Sequence, residues 1–83
     1  MSNEVVPPAR NWRVALIGCG RISVYHIMAL RGIPGLDLVG VCDLDGRAAR
    51  ECATKHGIRG CYTDAELMLR ELGPDAVVDR STP

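Results

Sequence analysis

Gly18, Cys19, Gly20, Arg21, Ile22 and Ser23 follow directly on the run Arg13-Val14-Ala15-Leu16-Ile17, which is apolar after its first residue. Two glycines one residue apart, with a small residue three positions further on, form the pattern of a turn that holds the diphosphate of a dinucleotide. The first glycine permits the tight turn, and the second lets the diphosphate approach the backbone. Ser23 stands where glycine or alanine is usual, and it is still small enough for a helix to pack closely on the strand. A helix opening at Arg21 points unpaired N–H groups at the anion, so the site needs no dedicated charged side chain. A glycine pair alone is a weak signal, because an ordinary Gly-rich turn also produces it. Asp43 adds the second part of the pattern: it closes the next strand about 20 residues beyond Ser23, where an acidic residue accepts hydrogen bonds from the adenosine ribose. Read instead as a helix-capping or loop residue, Asp43 leaves the upstream glycines unexplained. Its carboxylate repels a 2′-phosphate, which favours NAD over NADP. Arg47 could fold over the ribose and admit NADP; the simpler reading is a solvated residue in the first turn of a helix.

Other chemistries find less support. Cys19 lies between the glycines near a helix N-terminus, where the local field can lower a thiol pKa; a small filler beside the diphosphate is the plainer reading. Cys19, Cys42, Cys52 and Cys61 contain no Cys-x-x-Cys pair, so neither zinc nor a redox motif is indicated, and they read as free cytosolic thiols. Asp64 and Glu66 are explained by helix capping. His26 reads equally well as a helix residue with a satisfied imidazole. His56, beside Gly57, suits a helix C-terminus, where its charge would meet the dipole favourably.

The elements that must position these residues follow from hydrophobic period and punctuation. The run Arg13–Ile17 reads as a strand buried on both faces of a parallel sheet. A helix is expected from Arg21 to Arg31, closed by Gly32, Pro34 and Gly35. Leu36 to Cys42 forms a second strand with loose alternation. Asp45 can cap a second helix that buries Ala48, Ala49, Cys52 and Ala53 and stops at Gly57. Ile58 to Tyr62 gives a short third strand, and Thr63 with Glu66 forms a capping-box signature for a third helix. Gly73-Pro74 ends that helix, and Ala76-Val77-Val78 opens a fourth strand. Residues 1–12 form a tail, and 13–83 a partial domain. The alternation implies an α/β fold, a parallel doubly wound Rossmann-type sheet that is incomplete, with about four strands and three helices where a full dinucleotide domain has six strands.

Eighty-three residues leave no room for a second domain. Hydrophobic residues make up 47% of the chain, which argues for a packed core; with no Phe, that core must be built of Val, Leu, Ile, Ala and Met. Ten basic residues balance ten acidic ones, which gives no support to nucleic-acid or membrane-surface binding. The apolar runs are too short to span a bilayer, and the first twelve residues lack the apolar stretch of a secretory signal. The expectation is a cytoplasmic protein.

In the stretch from Arg13 through Gly18-Cys19-Gly20-Arg21-Ile22-Ser23 to His26, then Val41-Cys42-Asp43, and finally Thr82-Pro83, the chain resembles the Gfo/Idh/MocA oxidoreductase family. The resemblance implies an N-terminal Rossmann domain followed by an α/β domain that binds a sugar, cyclitol or similar polyol and often mediates homo-oligomers. It implies hydride transfer between NAD(P) and a hydroxyl carbon. On this likeness Gly18, Gly20, Arg21 and Ile22 line the diphosphate, Asp43 the adenosine ribose, and Thr82-Pro83 the nicotinamide end. His26 matches a family position as well. The family's Glu-Lys-Pro motif, whose lysine assists proton transfer, is expected beyond Pro83, so no residue of this chain is assigned a catalytic role. Asp79-Arg80-Ser81 departs from the apolar run usual before Thr-Pro. Because a charged pair is costly to bury in a central strand, the fourth strand is expected to end early or shift register. A non-catalytic module that binds or senses NAD(H) is the competing reading.

Overall fold

The computed structural model describes residues 11–20 and 23–80. Seven elements follow in order: β1 (Trp12–Ile17), α1 (Ser23–Arg31), β2 (Leu36–Cys42), α2 (Gly46–His56), β3 (Gly60–Tyr62), α3 (Ala65–Leu72) and β4 (Ala76–Asp79). The strands form one parallel sheet in the order β3-β2-β1-β4. Two steps run in one direction from β1 to β3, and the third crosses back to the far side of β1. With right-handed crossovers, α1 and α2 therefore cover one face and α3 the other. The core divides accordingly. Leu16, Ile27, Val41, Cys52, Ala53 and Ile58 pack together on the first face. Ala15, Cys42 and Met68 pack on the second. Leu16, Ile27, Val41 and Met68 are fully buried, each contributing roughly 1.5–3 kcal/mol of hydrophobic stabilisation. The expected α/β class, central β1 and burial of Val14 and Leu16 all hold.

The loose alternation of β2 has a specific cause. Val14 pairs with Leu38 but Ala15 pairs with Gly40, so Val39 is an extra residue bulged out of the register. The bulge moves Val41, instead of Gly40, onto the face that Leu38 shares. Cys42 then turns to the α3 face, and the next residue, Asp43, turns back toward the turn that leads into α1. Gly40 faces α3, where a Cβ would collide with the Leu72 side chain.

Several boundaries differ from the sequence expectation, each for a local reason. β1 begins at Trp12, one residue into the expected tail, because the Trp12 N–H donates to Gly35 O at 2.7 Å. Ile58 is buried but belongs to no strand. Gly57, at φ 65°, ends α2 in a left-handed turn, with its N–H on Thr54 O and the Ile58 N–H on Ala53 O. The helix cap thus holds Ile58, and β3 starts two residues later. The N-cap of α3 is Asp64, whose carboxylate accepts from the Leu67 N–H at 3.3 Å; Thr63 does not fill that role. β4 does not stop at Val78. Asp79 pairs with Ile17 in regular register, with its side chain exposed, so the sheet continues without burying the charge.

Candidate functional site

The turns leaving β1 and β2 meet at the carboxyl end of the sheet, where open α/β sheets bind ligands. Gly18 leaves β1 at φ 103°, a conformation that side chains other than glycine rarely adopt. Its N–H donates to Cys42 O at 2.7 Å and ties the turn to the end of β2. One residue on, the Cys19 N–H donates to Asp43 Oδ2 at 2.8 Å. The other carboxylate oxygen, Oδ1, accepts from the Asp45 N–H at 2.8 Å. Ser23 does more than leave room: its hydroxyl and its N–H both donate to Gly20 O, at 2.6 and 3.0 Å. The buried serine thereby closes the turn from the helix side.

Gly20 is exposed, and a Cβ placed on it would meet nothing within 4 Å. Nothing among the described residues demands glycine there, whereas a group docking on the backbone would. The Asp43 carboxylate has room for about four hydrogen bonds and spends two on the backbone, which leaves acceptor positions for hydroxyl donors. Gly18, Gly20, Asp43 and the 93% exposed Leu44 line one cleft of about 510 Å³, closed on its other sides by Thr63, Ala65, Asp79 and Arg80. These features fit a dinucleotide, with an open glycine for the diphosphate and a fixed carboxylate for the ribose. A larger cavity, about 680 Å³, lies beside Arg13, Leu36 and Asp37 at the opposite end of the strands and contains neither the turn nor Asp43.

The remaining candidates separate clearly. Arg47 points into solvent, 3.8 Å from Glu51, and does not line the cleft, so the solvated reading holds. Cys19 is no activated thiol. Burial first, and then the neighbouring Cys52, push it well above its ordinary 9.0, and its Sγ lies 3.7 Å from Cys42 O. His26 lies half-buried on α1, and its buried Nε2 has no hydrogen-bond partner among the described residues. His56 does end α2, but its pKa is lowered from 6.5 by burial, then by Lys55 and Arg31, so its charge is disfavoured there despite the dipole. Arg21, Ile22, Thr82 and Pro83 lie outside the described residues. Sequence reading missed Thr63 and Ala65 as cleft-lining residues. Their one signal was position: in parallel units, the residues after β3 and before α3 return to the same end of the sheet as the glycine turn.

A parallel sheet covered on both faces, with a glycine turn and an acid meeting at its carboxyl end, defines a dinucleotide-binding α/β domain of the Rossmann type. The family model described as oxidoreductase family, NAD-binding Rossmann fold, matches residues 12–79. The chain belongs to this family, the Gfo/Idh/MocA oxidoreductases. It is 40% identical over 60 residues to a D-apiose dehydrogenase of Paraburkholderia graminis, a match covering 72% of this chain and 16% of that enzyme. It is 39% identical over 56 residues to an inositol 2-dehydrogenase of Burkholderia cenocepacia, covering 66% of this chain and 15% of the relative. Among solved structures, an Agrobacterium radiobacter oxidoreductase in complex with NAD+, L-tartaric acid and magnesium superposes with a TM-score of 0.81 at 29% identity. That match covers 87% of this chain and 21% of the other. The WlbA dehydrogenase of Bordetella pertussis, in complex with NADH and UDP-GlcNAcA, gives 0.78 at 33% identity, covering 87% and 22%. The chain thus spans about a fifth or less of the length of these relatives. Among the described residues, no helix is long and apolar enough to cross a membrane, and no cluster could hold a metal ion.

Proposed function

We propose that this chain is the cofactor-binding part of an NAD-dependent dehydrogenase that moves a hydride between NAD and a hydroxyl carbon of a sugar, cyclitol or related polyol. The observation that carries the reading is the Asp43 carboxylate, clamped by the Cys19 and Asp45 N–H groups at the lip of the cleft with acceptor positions left over. A carboxylate held this way accepts from both ribose hydroxyls without reorganising, and its charge disfavours a 2′-phosphate. The Gly18–Gly20 turn receives the diphosphate, with Arg21 and Ile22 beside it, and Thr82-Pro83 flanks the nicotinamide. NAD, when bound, supplies the hydride chemistry. This chain's own residues bind and orient the cofactor; proton transfer at the substrate hydroxyl falls to a lysine outside it. The whole enzyme works as a cytoplasmic homo-oligomer on a small-molecule substrate, with neither nucleic acid nor membrane as partner.

Calorimetric titration of the chain with NADH and NADPH tests the binding half of the reading, and NADH binding at least tenfold tighter than NADPH is expected. A dehydrogenase assay on the parent enzyme with a panel of sugars and inositols tests the rest. NADH binding without turnover on any polyol would favour the non-catalytic sensing module, and no NADH binding would end the reading altogether.

A further inference from the structure

The described part of the glycine turn, Gly18 to Gly20, offers a diphosphate backbone N–H groups, while Asp43 brings negative charge to the same cleft. A dinucleotide diphosphate carries two negative charges, so a cation beside the turn strengthens the hold that the backbone N–H groups already offer. Arg80 is such a cation, and neither the motif nor the proposed function so far uses it. The Arg80 N–H donates to Ile17 O at 2.7 Å, which sets its backbone one strand spacing, roughly 4.8 Å, from the residue preceding Gly18. Because β1 lies between β2 and β4, Asp43 and Arg80 flank the glycine turn from opposite sides. Val78 packs with Leu16 and Ile27 on the α1 face. Arg80 is the first residue beyond β4, held by its hydrogen bond to Ile17 O beside the end of β1 from which the glycine turn departs. Arg80 is exposed and lines the cleft with Gly18 and Gly20. A guanidinium fork donates to two phosphate oxygens at once and adds the formal positive charge that backbone N–H groups lack.

We propose that Arg80 is a cofactor-binding residue that donates to the diphosphate of NAD from the β4 side, opposite Asp43; this rests on the reading of the cleft as a dinucleotide site. The charged residue that breaks the apolar end of β4 thereby acquires a function. It also makes cofactor affinity depend on salt, since the interaction forms at an exposed lip.

The test titrates NADH and adenosine, which lacks the diphosphate, into the wild-type chain and into Arg80→Ala and Arg80→Lys at low and high salt. Arg80→Ala is expected to weaken NADH binding about ten- to hundredfold, to leave adenosine binding unchanged and to flatten the salt dependence. Arg80→Lys should recover part of the loss. Thermal melting should be the same for all three proteins, since the side chain is exposed. Wild-type NADH binding that Arg80→Ala leaves intact, or that falls together with adenosine binding, would overturn the role of Arg80 alone. Failure of the wild type to bind NADH would overturn the dinucleotide reading and Arg80 with it.

Discussion

Gly18 and Gly20 are glycines for different reasons, and substitution separates the two. Alanine at Gly18 must adopt φ near 103°, at a cost of about 1–3 kcal/mol, so Gly18→Ala should lower the urea midpoint. Alanine at Gly20 meets nothing, so Gly20→Ala should keep its midpoint and lose NADH affinity, read by calorimetry. Asp43 combines both roles. Asp43→Ala removes the ribose acceptor and leaves the Cys19 and Asp45 N–H groups without theirs. NADH binding should weaken by ~1–3 kcal/mol and thermal stability should fall with it. Asp43→Asn keeps one acceptor oxygen and turns an N–H₂ toward a donor, so it too should bind weakly. The thiols give a pH prediction. Burial first pushes both Cys19 and Cys42 above 9.0, so the folded state retains protons that the unfolded chain releases. Their contribution to stability is whole below pH 9 and is lost as pH rises beyond it, which denaturant titrations at pH 7 and pH 10 would read. Exposed Cys61 should react with iodoacetamide well before either.

At the scale of elements, the corrected helix cap and the close approach of β2 to β3 are directly testable. Asp64→Ala should cost about 1 kcal/mol by removing the acceptor of the Leu67 N–H, whereas Thr63→Ala should change stability little. The sequence pattern Thr-Asp-Ala-Glu contains two residues able to cap, and only the backbone path shows which side chain meets an N–H. A Cβ on Gly60 would lie 2.7 Å from Val39 O, a backbone atom that cannot move aside. Gly60→Ala should therefore destabilise the fold by roughly 1–3 kcal/mol in urea unfolding, through strain at the β2–β3 seam. Periodicity reads the three helices and four strands, because each buries a face with its own repeat. It does not read the Val39 bulge, since a bulge is a property of the pairing between two strands.

Across the whole molecule, β3 and β4 are the outer strands of the described sheet, and Val77 is 39% exposed on β4. Outer strands with free backbone groups invite pairing. The 83-residue chain is expected to self-associate as its concentration rises, and Val77→Lys to shift it toward monomer, with sedimentation velocity as the measurement. Arg13 works at the opposite end of the sheet. Its guanidinium donates to the Leu72 and Gly73 carbonyls at the C-terminus of α3, while its backbone exchanges hydrogen bonds with Asp75. One residue at the start of β1 thus secures the crossover that carries the chain to β4.

The amino-acid sequence by itself determined the alternation of strands and helices, the apolar β1 that had to lie at the centre, and the glycines and acid that pointed to a dinucleotide. Each is a local pattern: hydrophobic period, punctuation, or a fixed spacing along the chain. Only the tertiary structure decided that the Asp43 carboxylate closes onto the Cys19 N–H, that Ser23 ties the turn to its helix, that Asp64 displaces Thr63 as the cap, and that Arg80 stands across the cleft from Asp43. These outcomes depend on strand order, on the bulge in β2 and on right-handed crossovers that bring the ends of β1, β2 and β4 together. Residues far apart in the chain become neighbours through those pairings, and no spacing within a single segment encodes them.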